Sequence, residues 1–274
     1  MLVGPATIFI AVCLLAPLAY LFRYSLNDFV AAKKMMVEAV TVANYVKFFT
    51  DPYYTTILWT TVRIAVLVTA VCLVLAFPLA YVVARTQSRF KNLLIISIVL
   101  PLFVGNSVRA AGWMVVFGNK GFVNATLLGL GAINQPIEIM FTEKAVIIGI
   151  IAVNLPFMVL SLQSVIEGID RAVEEAAFSL GAPPITMFRR VLWPLALPGI
   201  IAGTILCFIL AMNAYATPFL LGGPLFKMMS PLIYNEFTQK TNWPFGGAIA
   251  FILMTVTLGL TIAANLILSR RATR

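Results

Sequence analysis

Residues Glu174 to Pro194 read EEAAFSLGAPPITMFRRVLWP, a polar and punctuated stretch set between two long apolar runs. Just before and within it, Val173, Ala176, Ala177 and Leu180 recur at helical spacing, while Arg171, Glu174 and Glu175 take other faces. That pattern predicts a short amphipathic helix from Asp170 to Leu180. Gly181 suits the left-handed position that ends a helix, and Pro183-Pro184 blocks continuation while presetting the first turn of a second helix through Met187, Arg189 and Arg190. The segment from about 167 to 194 is therefore predicted as a helix-turn-helix elbow. Small side chains at Ala176, Ala177 and Gly181 would let another backbone approach closely, and flanking charges could set its register. The competing expectation is an amphipathic helix resting on lipid headgroups.

Around the elbow the chain is built for a bilayer. Its 274 residues are 61% hydrophobic and 11% charged, with a mean hydropathy of +1.00, and a water-soluble domain of this size needs far more polar surface. Six apolar runs approach the roughly 20 residues needed to cross about 30 Å of hydrocarbon. They extend from about Leu2 to Phe22, Ile57 to Ala84, Leu93 to Phe117, Ala145 to Ile166, Pro198 to Leu221 and Gly246 to Leu268. The first lacks a basic leader and a small-residue cleavage site, and Arg23 follows it directly, so it is expected to be a retained span. Residues 1–274 are thus expected to form a single all-α transmembrane domain.

The formal net charge is +9, and its meaning lies in where the cations fall. Arg85, Arg89 and Lys91, then Arg171, Arg189 and Arg190, then Arg270, Arg271 and Arg274 share one side, which the positive-inside rule makes cytoplasmic together with both termini. Lys33, Lys34, Lys47, Lys120, Lys144, Lys227 and Lys240 occupy the opposite loops, where Arg23 at the end of the first run is the one arginine. Nucleic acid is not the expected partner of this charge; membrane lipid is. Cys13, Cys72 and Cys207 sit in apolar runs as small packing residues, and the absence of histidine excludes His-based metal sites, proton shuttles and triads.

The elbow resembles a known signature. The cytoplasmic loop of type I ABC importer permeases carries E-A-A, three residues, G, nine residues, I-x-L-P; here Glu175-Ala176-Ala177, Gly181 and Val191-Leu192-Trp193-Pro194 stand in those places. Trp193 departs from the leucine. The resemblance implies that Glu175, Ala176, Ala177 and Gly181 couple to a cytosolic ATPase. It extends over nearly the whole chain and is strongest to permeases of spermidine/putrescine-type importers, through LPLFVGNSVRAAGWMVVFG from Leu100, GFVN from Gly121, TPFLLGGP from Thr217, LIYNEF and NWPFG. It implies a bacterial inner-membrane, multi-pass subunit that performs no chemistry and carries no cofactor. ATP and Mg would sit in two copies of a separate ATPase, beside a second homologous permease and an extracytoplasmic substrate-binding protein. The implied cargo is a polyamine such as spermidine or putrescine, with an amino-acid derivative or organic anion as the alternative.

The residues themselves limit other classes. Ion-coupled carriers usually hold acidic groups near the midplane, and no Asp or Glu lies well inside any of the six runs. Nor is there a glycine-rich phosphate loop ending in Gly-Lys-Ser or Gly-Lys-Thr. An ion-coupled carrier and a static docking protein remain as the less favoured readings. Substrate-pathway candidates are Asn154, before Pro156, and Asn213, Tyr215 and Thr217, before Pro218, since each proline frees a backbone carbonyl and can bend its helix. The alternative for these groups is interhelical hydrogen bonding. Arg109 is a further candidate and Arg63 an intramembrane cation of open role; either could anchor at the interface or bond a backbone carbonyl, and on a pathway either would repel a polycation. Gly199 and Gly203, four apart, suggest a close helix contact.

Overall fold

The computed structural model describes residues 4–30 and 35–272, with the side chains of residues 5, 6 and 268–272 left aside. In chain order it contains α1 (Gly4–Ser25), β1 (Asp28–Val30), β2 (Met35–Val37), α2 (Ala43–Thr50), α3 (Pro52–Arg85), α4 (Lys91–Val99) and a 3-10 turn at Leu100–Phe103. There follow α5 (Asn106–Phe117), α6 (Phe122–Gly129), α7 (Glu143–Glu167), α8 (Arg171–Ser179), α9 (Pro184–Met187), a π turn at Phe188–Leu192 and α10 (Trp193–Leu195). The chain ends with α11 (Leu197–Met212), α12 (Ala216–Leu221), α13 (Met229–Thr238) and α14 (Trp243–Ala272). Leu2, Lys33, Lys34 and Arg274, used in the span and charge arguments, lie outside the described residues, as do the side chains of Arg270 and Arg271.

The architecture is that of an all-α polytopic membrane protein. Thr7–Ser25, Pro52–Arg85, Glu143–Glu167 and Trp243–Ile267 are each long and apolar enough to cross a bilayer, and two bent helix pairs bring the number to 6 if each pair is one span. The first bend falls within the third run, expected from hydropathy to be continuous, and the second lies between the elbow and the start of the fifth. Lys91–Phe103 and Asn106–Gly129 meet at 99°, and Pro184–Leu195 and Leu197–Met212 at 71°. At the first break Pro101 removes a helical donor, the backbone turns extended at Val104 and Gly105 precedes the new helix. The fifth run, expected to be continuous, is itself broken, since α11 stops at Met212 and α12 restarts at Ala216. Pro218 sits in the first turn of α12, where its missing N–H is no loss. Hydropathy counts apolar residues and is blind to such breaks.

The chain divides into two compact units, one of residues up to Thr61 with Met228–Thr257 and one of Val62–Lys227 with the segment from Leu258 onward. The first holds a two-stranded antiparallel ribbon, pairing Asp28 with Val37 and Val30 with Met35, which the all-helical expectation did not include. Arg23 ties its base by donating to Asn27 Oδ1 at 2.5 Å and to the Ala39 carbonyl at 2.9 Å. Phe48, Tyr54 and Phe245 pack ring to ring at the core of this unit. In the second unit α7 packs along α11 through small residues. A Cβ at Gly203 would lie 2.7 Å from Met158 Sδ, and one at Gly199 3.0 Å from the Val165 side chain, so the two glycines do mark a close helix contact. Gly149 of α7 does the same for α12, where a Cβ would meet Thr217 Cγ2 at 2.6 Å and Leu221 Cδ1 at 2.8 Å.

Overpacking at such a contact typically costs about 1–3 kcal/mol. Gly149→Val is accordingly expected to lower the unfolding temperature of the purified protein in detergent by several degrees, whereas Gly112→Ala, whose Cβ would meet nothing within 4 Å, is expected to leave it within a degree or so. Thermal melts of the two variants beside the parent check this.

Candidate functional site

The first helix of the elbow is held by charge and its second half by apolar packing. Asp170 caps α8 by accepting from the Ala172 N–H at 3.0 Å, and Gly181 ends it with φ +78°, the left-handed conformation that glycine adopts without strain. Pro183 and Pro184 then open α9, and the π turn carries the chain through Arg189 and Arg190 into α10. Trp193, the departure from the leucine of the signature, lies flat on Phe77 with centroids 5.5 Å apart, and Phe188 meets Phe77 edge-on at 4.9 Å. The larger ring is thus absorbed into a three-ring cluster against α3.

The helical stripe does not point where amphipathicity predicted. Val173, Ala176, Phe178 and Leu180 are exposed, Leu180 at 88%, whereas Glu174 is buried. Glu174 was assigned to a polar face and not singled out. Its carboxylate receives the guanidinium of Arg85, from both Nε and Nη2, and the hydroxyl of Tyr81 at 2.9 Å. Arg85 also donates to the Ile169 carbonyl at 3.0 Å, while Arg171 donates to the Arg85 carbonyl at 2.5 Å. Lys91, at the start of α4, pairs with Glu167 at 2.7 Å. The ends of α3, α4, α7 and α8 are therefore clamped together by ion pairs. α3 makes this reach possible: its 34 residues span about 51 Å at 1.5 Å each, far more than about 30 Å of hydrocarbon. Of the proposed coupling residues, Glu175, Ala176 and Gly181 are exposed and Ala177 half-buried.

The pathway candidates gather elsewhere in the same unit. Asn154, Asn213, Tyr215 and Thr217 line one cavity of about 310 Å³, joined by Asn106 and Ser107 of α5, which the sequence-based list did not contain. Asn154 is buried and donates to the Cys207 carbonyl at 3.3 Å, so it also makes the interhelical bond named as its alternative role. Asn213 caps the end of α11 through its Nδ2 and the Ile209 carbonyl at 2.9 Å, and Tyr215 stacks on Phe219. No Lys, Arg, Asp or Glu is among the lining residues. Arg109 is not among them either: its Nη2 donates to the carbonyls of Pro101 at 2.5 Å and Val104 at 2.8 Å, bridging the break between the 3-10 turn and α5. Arg63 pairs with Glu143 at 2.6 Å, tying α3 to the start of α7. Asn106 and Ser107 could have been found from Gly105, a helix start within an apolar run.

A bent-helix bundle with a clamped elbow and a polar cavity between broken helices is the architecture of a type I ABC importer permease. Residues 35–274 match the family described as binding-protein-dependent transport system inner membrane component, and the chain belongs to that family. It is 36% identical over 235 residues to the spermidine/putrescine transport system permease protein PotB of Haemophilus influenzae, covering 85% of this chain and 82% of that one. With PotB of Escherichia coli it shares 37% over 222 residues, 81% and 80% of the two chains. Among solved structures, a chain of a bacterial alginate ABC transporter in complex with an alginate pentasaccharide-bound periplasmic protein superposes with TM-score 0.80 at 20% identity, covering 100% of this chain and 94% of that one. A chain of the inward-facing MetNI methionine ABC transporter gives 0.61 at 18%, covering 82% and 100%. The protein is a transport subunit of the inner membrane and not an enzyme.

The Arg85–Glu174 pair is 13% and 8% exposed, the Arg63–Glu143 pair 52% and 38%. Removing one partner of a buried pair costs about 3–5 kcal/mol, whereas an exposed pair is worth about 0–1 kcal/mol. Arg85→Ala is expected to lower thermal stability markedly and to open the segment near 170–190 to protease, and Arg63→Ala to do neither. Limited proteolysis with thermal melts of both variants decides it.

Proposed function

We propose that this chain is one of two permease halves of an ATP-driven, binding-protein-dependent polyamine importer, coupled to its ATPase through Glu175, Ala176, Ala177 and Gly181. The observation that carries the coupling role is the inverted elbow. Glu174 is turned inward onto Arg85, and the apolar stripe of Val173, Ala176 and Leu180 is left exposed, together with Phe178 and, on α9, Ile185. A solvated helix would do the reverse, and exposed apolar surface of this kind marks a docking site. Arg and Lys placement sets the elbow and both termini on the cytoplasmic side, where a soluble ATPase can reach it. Two ATPase copies closing on ATP would push on the elbows of this chain and of a second permease, shifting the cavity from inward-open to outward-open to receive solute from an external binding protein.

The polyamine reading rests on the relatives named for spermidine and putrescine. The charge distribution is compatible with it. Arg63 is paired with Glu143, and Arg109, whose Nη2 donates to the Pro101 and Val104 carbonyls, is not among the residues that line the 310 Å³ cavity; that lining is uncharged and sets amides, hydroxyls and one phenol ring among apolar side chains. An aromatic face and carbonyl or amide oxygens suit an alkylammonium chain.

Uptake of radiolabelled spermidine by cells carrying the whole transport system tests both halves of the proposal. Gly181→Asp places a charged side chain at φ +78° in the middle of the docking face. It is expected to reduce uptake at least about tenfold, the cost of roughly 1.4 kcal/mol or more in coupling, while the second permease still co-purifies. Uptake at the parental rate would overturn the coupling role. Competition by unlabelled amino acids or organic anions, but not by putrescine, would overturn the cargo.

A further inference from the structure

The first compact unit contains a second polar cavity, of about 660 Å³, that the permease reading leaves unused. Its walls are Asp28 and Phe29 of β1, Ala43, Asn44 and Lys47 of α2, Tyr54 of α3, Glu236 of α13, and Gln239, Lys240 and Asn242 of the turn before α14. In the topology proposed above these segments are external. A volume of this size falls within the range of small-ligand sites, roughly 300–1,000 Å³.

Two features define what it suits. Glu236 is 1% exposed, and a carboxylate buried to that degree requires a cation. It obtains one from Lys240, whose Nζ lies 2.6 Å from Oε1 while the lysine side chain stays 53% exposed. The turn that delivers Lys240 is tight. The Asn242 N–H bonds the Glu236 carbonyl at 2.9 Å, and Thr241 adopts φ +53°, an unfavourable conformation for a β-branched residue. The second cation on the wall, Lys47, rests over the Phe245 ring at 4.6 Å. Both cations are primary ammonium groups on four-carbon stems, one held by a carboxylate and one by an aromatic face. Burial opposes the Lys240 charge, but the Glu236 hydrogen bond and charge outweigh it and hold the ammonium above the usual lysine range.

We propose that this cavity binds the ammonium end of a linear alkyl diamine, with Glu236 receiving the ammonium and the Lys240 side chain as a tethered occupant that the ligand displaces. The exchange preserves charge at Glu236, so the buried carboxylate is never left bare. The lysine gives up little, because the Lys240 side chain is 53% exposed and its displaced ammonium returns to water. Asp28 on the same wall offers a carboxylate to the second ammonium. The inference goes beyond the importer reading, which assigns this cavity no role, and shares with it only the chemistry of the ligand.

The test is calorimetric titration of the assembled transporter in lipid nanodiscs, without external binding protein, using 1,4-diaminobutane and the uncharged 1,4-butanediol. Saturable binding of the diamine and none of the diol is expected. Lys240→Met removes the competitor and leaves the buried Glu236 without a cation until the diamine enters, so it is expected to tighten diamine binding by about tenfold or more, while Glu236→Gln abolishes it. If Glu236→Gln does not fold, the surface variant Lys240→Met still decides: unchanged or weaker binding overturns the proposal, as does equal binding of the diol. A transporter that binds the diamine in this Lys240-dependent way but imports no spermidine would overturn the polyamine cargo and leave this site standing. Spermidine import with diamine binding indifferent to Lys240 would do the opposite.

Discussion

A buried ion pair at the end of an overlong helix governs the rest of the second unit. Arg85 is the last residue of α3, and its guanidinium satisfies Glu174 of α8 and the Ile169 carbonyl beyond α7 at once. With both partners about nine-tenths buried, the carboxylate cannot turn back to water without leaving a charge uncompensated on each side. The orientation of α8 is thereby fixed, and with it the outward direction of Val173, Ala176 and Leu180. A helix whose apolar face is forced outward in this manner is kept ready for a partner, where apolar packing alone would have rolled it inward.

The helices that leave the elbow are the ones that form the polar cavity. On one side α7 runs from Glu167 back to Asn154, and on the other the chain passes through the π turn, the aromatic cluster and α10 into α11, which ends at Asn213. Gly199 and Gly203 bring α11 within van der Waals contact of α7, and Gly149 brings α7 onto Thr217. Interfaces this close transmit displacement as whole-helix movement, because packed cores have discrete arrangements and little compliance. The bend of 71° and the break at Asn213–Tyr215 are then the places where such movement has backbone freedom to resolve. This contiguity supports the lever reading of the elbow, and the transport assay measures the coupling itself.

How much of this was legible in the sequence follows from which forces the residues report by themselves. Gly181 and the proline pair announce a turn because φ preference and a missing donor are properties of single residues, and Asn154, Asn213, Tyr215 and Thr217 could be grouped because polar side chains in apolar runs are costly wherever they fall. Glu174 was illegible. Its partners are 93 and 89 residues away, and nothing local distinguishes it from its neighbour Glu175, which stays exposed. Helical periodicity assumes that apolar residues point inward, an assumption that fails where a buried ion pair turns a helix the other way. The ribbon at residues 28–37 was likewise missed, since its three-residue strands are too short to show alternation, and the 99° break was hidden by a hydropathy that stays high through Pro101 and Gly105. Arg109 was placed among pathway groups by its charge alone; its bonds to the Pro101 and Val104 carbonyls show it satisfying the backbone that the same break exposes.

The disposition of charge separates holding from passing. Arg63 is paired with Glu143, Arg109 is tied to the Pro101 and Val104 carbonyls, and the cavity between α5, α7 and α11 is lined by amides, hydroxyls and one aromatic ring among apolar side chains, with no charged group. A carboxylate buried there would grip a polycation strongly, and a route that binds too tightly cannot release. Neutral oxygens and a π face give an alkylammonium chain several weak partners in succession, each worth little more than the water it replaces. Strong recognition then has to lie where the solute is selected. On the proposal made for the first unit, the carboxylate that takes this part is Glu236, kept neutralised by a lysine whose side chain is itself an aminobutyl group.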